Sequence, residues 1–285
     1  MKSTLKEQIK SILKTLRLYR LAVFAYCKLE TIYGKGKNIL QYLYSPFLNY
    51  HYTRRGVPDG LPFPPVKLVY LVTNTYRYDW FYKSGSLGQQ SIRDILQKNN
   101  FDINKFETIM DFGCGCGRMM RQWKKMNGPR LFGTDYNPFL IAWCQKHLPF
   151  AEFIVNSPSE PLSYPNKAFE FIYVISVFSH LAEGKGNFWI KELSRVLKPG
   201  GLIYMTVMGT ARVAYLSLEL QEQFNAGHLV VIGGEYSGSN ACAAFHPESY
   251  VRKMLPENLK VLDFVPGGAK DAYQDVFLLQ KKRIA

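Results

Sequence analysis

The chain lacks any apolar run near the roughly 18 residues that cross a bilayer, which argues against an integral membrane protein. Its N-terminus lacks a signal-peptide core, because lysines and arginines interrupt it every three or four residues. Cysteine is scarce: Cys27, Cys114, Cys116, Cys144 and Cys242 are odd in number and show no paired metal-site spacing. Cys114 and Cys116 flank Gly115, too close together for a zinc knuckle, and read as small side chains in a tight turn. No metal is expected, and the cytoplasm is the expected location. No internal repeat or low-complexity tract is present.

Acid is also under-represented, with 22 Asp and Glu against 36 Lys and Arg, a net charge of +14. The excess is concentrated in residues 1–60, where eleven Lys/Arg face Glu7, Glu30 and Asp59 for a net of +8. Leu5, Ile9, Ile12, Leu16 and Tyr19 recur at helical spacing while Lys6, Lys10, Lys14 and Arg17 line another face. This basic amphipathic helix has three readings: a cap on the core, a peripheral membrane contact through residues 1–25 on the inner membrane face, or a grip on nucleic acid. Tyr42 to Tyr52 is aromatic-rich, and Val57 to Pro65 reads as a loop. The expected organisation is a helical N-terminal extension over 1–65 and a main domain over 66–285, with a lead-in and lid at 66–105 and a core at 106–285.

Within the core, Glu107 to Arg118 (ETIMDFGCGCGR) is a short apolar strand running into a glycine-dense turn. Gly113, Gly115 and Gly117 allow left-handed backbone and close approach of a ligand. Arg118 to Lys125 reads as a helix, and Leu131 to Thr134 as a strand ending on Asp135. A carboxylate about 20 residues past a glycine turn is placed to accept ribose hydroxyls. The spacing is G-x-G-x-G, not the G-x-G-x-x-G of dinucleotide folds, and Asp111 before it suits a cationic ligand better than a pyrophosphate. No Gly-Lys-Ser/Thr follows, which excludes a P-loop. Further strands are expected at Glu152–Val155, Phe169–Ser176, Gly201–Val207, Leu259–Val265 and Gln274–Leu279. Helices are expected at Leu87–Lys98, Pro138–His147 and Asn187–Leu197. Such alternation calls for an α/β, doubly wound, mostly parallel sheet.

The glycine turn, Asp135, Phe169–Leu181 (FEFIYVISVFSHL) and Val196–Gly201 (VLKPGG) together resemble the class I (Rossmann-like) S-adenosylmethionine-dependent methyltransferases, of the bacterial small-molecule type. The resemblance covers about residues 100–285 and implies a seven-stranded sheet whose last pair includes an antiparallel strand. It implies S-adenosylmethionine as cofactor, with S-adenosylhomocysteine as product. Asp111, Gly113, Cys114, Gly115 and Gly117 would cradle the methionine half. Asp135 and Tyr136 would meet the ribose and its surroundings, Asn156 and Ser157 the adenine edge, and Ile175 the end of the fourth strand. The acceptor is expected to be a small molecule or a glycan, with O-methylation favoured. The irregular stretch Ala211–Phe245 is the expected acceptor pocket, and Tyr78, Trp80, Phe81 and Tyr82 are candidate lid contacts.

A hydroxyl acceptor needs its proton removed, and His is the usual base near neutral pH. His246, at the mouth of the irregular stretch, and His180, after the fourth strand, are the candidate catalytic residues; His228 ranks behind them. The fourth strand ends in Ile175-Ser176-Val177-Phe178, not the Asn-Pro-Pro-Tyr type motif of nucleobase amino methylases, and no Pro-Cys nucleophile is present. Nucleic acid is therefore the weaker acceptor class. An RNA methyltransferase, a non-catalytic S-adenosylmethionine-binding protein and a Rossmann dehydrogenase remain open beside the main reading.

Overall fold

In a computed structural model, residues 36 and 38–283 are described. The basic helix expected within residues 1–25 lies outside them. The sheet is built by apolar runs that bury both faces at once. Along β1 (Thr108–Phe112), β4 (Phe169–Val174) and β5 (Leu197–Val207), successive side chains enter opposite layers. Ile109, Phe171, Tyr173, Leu202 and Tyr204 fill one layer. Met110, Phe112, Ile172, Val174 and Ile203 fill the other. A strand flanked by helices on both sides needs this pattern.

With β2 (Arg130–Asp135), β3 (Glu152–Val155), β8 (Leu259–Ala269) and β9 (Gln274–Lys281), the seven strands are ordered β3-β2-β1-β4-β5-β9-β8. Only β9 runs antiparallel to its neighbours. The expected fold class is thus observed. The order turns around between β1 and β4, and the crevice at the carboxyl ends of those two strands is where such sheets bind ligands. Helix α3 (Tyr78–Lys98), with α4 (Pro138–His147), covers the first layer; α5 (Glu183–Val196) and α7 (Glu248–Met254) cover the second. No helix among the described residues is long and apolar enough to cross a membrane.

Several expected boundaries move. The helix expected over Arg118–Lys125 is a turn with a single 3-10 segment, Met120–Trp123. Helix α3 begins at Tyr78, not at Leu87, and carries Gly85 and Gly88 in its interior. A Cβ at Gly85 would lie 2.4 Å from the Arg118 carbonyl oxygen, and one at Gly88 would lie 2.7 Å from the Met119 sulfur. The two glycines let the helix lie against the segment that follows the glycine turn. Strand β5 starts at Leu197 and runs through Pro199-Gly200-Gly201, where pairing with β4 shifts register. The stretch Ala211–Phe245 is less irregular than its composition suggests. It holds α6 (Leu218–Asn225) and a two-stranded ribbon of β6 (Val230–Ile232) and β7 (Ala243–Phe245).

Ahead of α3 lie a helical stretch at 38–48, α1 (Tyr50–Arg55) and α2 (Val66–Thr73). The loop before α2 is pinned to the core. Asp59 accepts two hydrogen bonds from buried Arg121, at 2.7 and 3.0 Å, and the Leu61 carbonyl accepts a third. The Arg121 guanidinium also lies 4.8 Å from the Phe63 ring centre. Phe63 stacks on Tyr78 with centres 4.3 Å apart and meets Phe81 edge-on. Tyr78 and Phe81 are therefore part of the packing that joins this segment to the sheet.

Candidate functional site

A cavity of about 520 Å³ opens at the switch point. That volume falls within the roughly 300–1,000 Å³ of small-molecule sites. Its floor is the glycine turn after β1. Gly113 has φ +79° and Gly115 φ +55°, backbone that a side chain rarely adopts. A Cβ at Gly113 would also lie 2.3 Å from Val177 Cγ2, and one at Gly115 2.6 Å from Val72 Cγ2. The turn thus sits between the post-β4 loop and α2 with no room for side chains. Gly117 (φ +79°) closes the turn against Leu148 and does not line the cavity.

Two carboxylates stand at this floor. Asp135, at the end of β2, accepts from Gly115 N–H at 3.0 Å through one oxygen and from Asn137 N–H at 2.9 Å through the other. Burial raises its pKa, and these two bonds oppose the rise. Asp111, at the end of β1, is 2 % exposed, and its Oδ2 has no hydrogen-bond partner. Burial pushes its carboxyl up to about 8; the neighbouring Tyr173 hydroxyl and the Arg118 charge oppose the rise, and the Asp135 charge adds to it. A buried carboxylate that lines a cavity favours a cation there.

Of the residues named from the sequence, Asp111, Gly113, Cys114, Gly115, Asp135, Tyr136, Asn156 and Ile175 line the cavity. Asn156 accepts from Thr134 Oγ1 at 2.8 Å and donates to the Ser157 carbonyl at 2.9 Å, so its amide is held in place. Ser157 itself is not part of the lining, although Pro158 is.

The two histidines separate. His180 lines the cavity. Its Nδ1 lies 2.7 Å from the Cys242 carbonyl oxygen. A carbonyl only accepts, so Nδ1 carries the proton and the neutral ring keeps Nε2 as its acceptor. His246 is outside the lining and only 2 % exposed. Its Nδ1 bonds the Ala244 carbonyl at 3.1 Å, and burial pushes its imidazole down to about 4. Geometry therefore does not support the expectation that His246 is a catalytic base: its ring is sealed in packing rather than turned to the cavity. His228 is exposed and also lies away from the lining.

The roof comes from two segments that sequence reasoning only partly found. Of the irregular stretch, Gly238, Ser239, Asn240 and Ala241 reach the cavity. They are tied down by Gly238 N–H to the His180 carbonyl (2.7 Å) and by Lys185 Nζ to the Ser237 carbonyl (2.8 Å). Asn240 Nδ2 donates to the Leu71 carbonyl at 3.0 Å, joining this segment to α2. The wall of Tyr70, Leu71, Val72 and Asn74 falls within the lid expected at 66–105, but carries no sequence motif that singles out these residues, whereas the named lid candidates Trp80 and Tyr82 do not line the cavity. Among the described residues no cluster of His, Cys, Asp and Glu could hold a metal.

Residues 110–205 match a family model described as a methyltransferase domain. Over 146 residues the chain is 29% identical to a sterol 24-C-methyltransferase of Pneumocystis carinii, covering 46% of this chain and 38% of that protein. Over 144 residues it is 28% identical to a demethylmenaquinone methyltransferase of Chlorobaculum tepidum, covering 50% and 57%. The chain thus spans about two fifths to just over half the length of these curated relatives. Among solved structures it is similar to a chain of the Haloferax volcanii complex of the Trm112 methyltransferase activator with a methyltransferase. That match has a TM-score of 0.51 at 13% identity and covers 78% of this chain and 100% of that one. It is also similar to the glycopeptide N-methyltransferase MtfA, with a TM-score of 0.50 at 12% identity, covering 69% and 96%. At such identities the structural likeness is one of fold. The strand order, the glycine turn with its two carboxylates and the match over residues 110–205 agree: those residues form a methyltransferase domain, set in a sheet with the class I methyltransferase fold.

Proposed function

We propose that the chain binds S-adenosylmethionine on the glycine turn and transfers its methyl group to a small-molecule or glycan acceptor held in the same cavity. The observation that carries this reading is that Asp111, Asp135 and His180 line one cavity beneath a roof assembled from distant parts of the chain. The Asp111 carboxylate in the cavity wall and the side-chain-free cradle at Gly113 and Gly115 fit a ligand bearing a sulfonium and an amine. When bound, that cofactor supplies an electrophilic methyl group on a positively charged sulfur.

The protein's own contribution is placement and proton handling. Asp111 supplies the negative charge opposite the cationic half. Asp135 offers its carboxylate to the ribose hydroxyls, and Tyr136, half exposed beside it, offers an aromatic face. The roof excludes water and holds the acceptor near the floor, and positioning alone can contribute several kcal/mol to the rate. His180 Nε2 accepts the proton of an acceptor hydroxyl, which favours O-methylation. The relatives are named for a sterol and for demethylmenaquinone. The apolar part of this wall, with Leu71, Val72, Ile175, Val177, Leu181 and Trp189, fits an acceptor of similarly low polarity.

The test uses S-adenosylmethionine labelled in its methyl group with a panel of phenols, hydroxyquinones, sterols and glycans. Label should pass to at least one hydroxylated acceptor, with S-adenosylhomocysteine formed in equal amount. Tight cofactor binding with no transfer to any acceptor or cell fraction would favour the non-catalytic reading.

A further inference from the structure

The helical stretch 38–48 is amphipathic in the reverse sense of a soluble surface helix. The side turned to the body is polar: Asn38, Gln41, Ser45 and Asn49 recur three or four residues apart, and Ser45 and Asn49 are 2 % exposed. These groups are bonded. Asn49 Nδ2 donates to the Tyr76 carbonyl and its Oδ1 accepts from Tyr78 N–H, both at 2.8 Å. Asn38 Nδ2 donates to the Tyr70 hydroxyl at 3.0 Å. The outward side carries Ile39, Leu40, Leu43, Tyr44, Phe47 and Leu48, each between 51% and 87% exposed. Together they leave the equivalent of nearly four whole large side chains in water. Contiguous patches of that size on a soluble chain mark an interaction surface.

We infer that this face seats in the interfacial layer of an anionic lipid bilayer, beside the mouth of the cavity. Charge selects the occupant. Residues 1–60 carry a net +8 and the whole chain +14, so a second copy would bring like charge to like charge, whereas an anionic headgroup layer complements it. The cations at the edge of the face are placed for this. The Arg54 guanidinium lies 5.5 Å from the Tyr50 ring centre, and Lys67 Nζ lies 5.7 Å from that of Tyr42. Aliphatic side chains bordered by tyrosines and basic residues are what a helix lying in the headgroup boundary requires. The apolar surface is helix 38–48 itself, while most of the positive charge of residues 1–60 is carried by residues 1–37.

The helix is also coupled to the cavity wall. Tyr42 meets Tyr76 edge-on at 5.4 Å, and Tyr76 stacks on Tyr70 at 4.5 Å. Tyr70 and the next residue, Leu71 (46% exposed), line the cavity. A docked helix therefore holds that wall at the membrane surface. The acceptor class that follows is a molecule carried by the bilayer, either dissolved in it or anchored to it by a lipid. This second step rests on the methyl-transfer reading; the docking does not.

The experiment is flotation of the full chain with vesicles of phosphatidylcholine alone or mixed with phosphatidylglycerol, at about 0.1 M and about 0.5 M salt. The chain should float with the anionic vesicles and lose at least about tenfold of its partitioning at the higher salt. The double variant Leu43→Glu, Phe47→Glu should lose at least about tenfold at the lower salt. It should still bind S-adenosylmethionine by calorimetry, which shows that it is folded. A wild-type chain that stays with the aqueous fraction, or a variant that floats equally well, overturns the docking. So does light scattering that shows a wild-type dimer dissolved by the same two substitutions, because the face would then be a self-interface. For the acceptor, label from S-adenosylmethionine should enter the organic extract of added membranes. Label confined to the aqueous phase overturns the lipid-borne acceptor and leaves methyl transfer standing. No label in either phase counts against methyl transfer and leaves the docking standing.

Discussion

His180 donates its Nδ1 proton to the main-chain carbonyl of Cys242, 2.7 Å away, and this bond fixes which ring nitrogen is free to accept a proton. The acceptor is a backbone atom, so the tautomer does not depend on the Cys242 side chain. His180→Ala should lower kcat toward a hydroxyl acceptor by about 10²–10⁴-fold. It should leave the S-adenosylmethionine Kd, measured by calorimetry, within about twofold. Cys242→Ala should leave both values nearly unchanged. An equal loss of rate in the two variants would show that the bond matters for packing rather than proton transfer.

Asp111 makes cofactor binding depend on pH. Its carboxyl titrates near 8 in the empty site, and a bound cation must lower that value. Below pH 8 binding therefore releases a proton, and affinity should rise by up to about tenfold per pH unit until it levels off above pH 8. Calorimetry at about pH 6.5 and 8 in buffers of different ionisation enthalpy counts that proton. Asp111→Asn should flatten the profile and weaken binding at pH 8.

The same group makes folding depend on pH in the opposite sense to a paired carboxylate. Its folded pKa, near 8, lies above the ordinary carboxylate range near 4. The stabilisation from holding this proton is full below about pH 4 and is lost as pH rises through 8. At pH 8 and above, the unliganded Asp111→Asn variant should melt at a higher temperature than wild type even though it binds cofactor less well. A lower melting temperature would show that the ionised carboxylate is satisfied in the folded chain.

His246 is expected to act on stability alone. Its pKa is depressed from 6.5 to about 4 by burial, so stability should fall as pH drops through that window, where the unfolded chain takes up a proton and the folded one does not. His246→Asn should blunt this acid loss in a melting series and keep kcat within about threefold if the ring only packs. A loss comparable to that of His180→Ala would return His246 to the catalytic candidates.

Gly113→Ala places a side chain on backbone at φ +79° and 2.3 Å from Val177. The strain is on the order of 1–3 kcal/mol. Cofactor affinity should fall at least about tenfold, and pairing it with Val177→Ala should recover part of the loss by relieving the clash.

The central strands could be read from the sequence because a strand buried on both faces must be a continuous apolar run, as Ile109-Met110 and Phe171–Val174 are. The floor of the site could be read because left-handed backbone needs glycine and a cation needs an acid. The start of α3 lies nine residues ahead of the expected Leu87, and the reason for Gly85 in its interior, as for Gly88, is contact with Arg118 and Met119, more than thirty residues away. The turn after Gly117 was misread because Met119, Met120 and Trp123 have helical spacing that a 3-10 turn also satisfies. The lid could be placed within 66–105 but its wall residues could not be singled out, because Tyr70 and Val72 are ordinary apolar residues until the fold brings them to the cavity beside Gly115. The two histidines differ only in which one the roof uncovers.

The assigned cofactor site is tested most directly by titrating S-adenosylmethionine into the wild-type chain and into Asp135→Asn and Asp111→Asn, each checked for fold by circular dichroism. One site per chain is expected at pH 8, with both variants weakened by at least about tenfold, or about 1.4 kcal/mol. No binding to wild type, or equal binding to all three chains, would contradict this site.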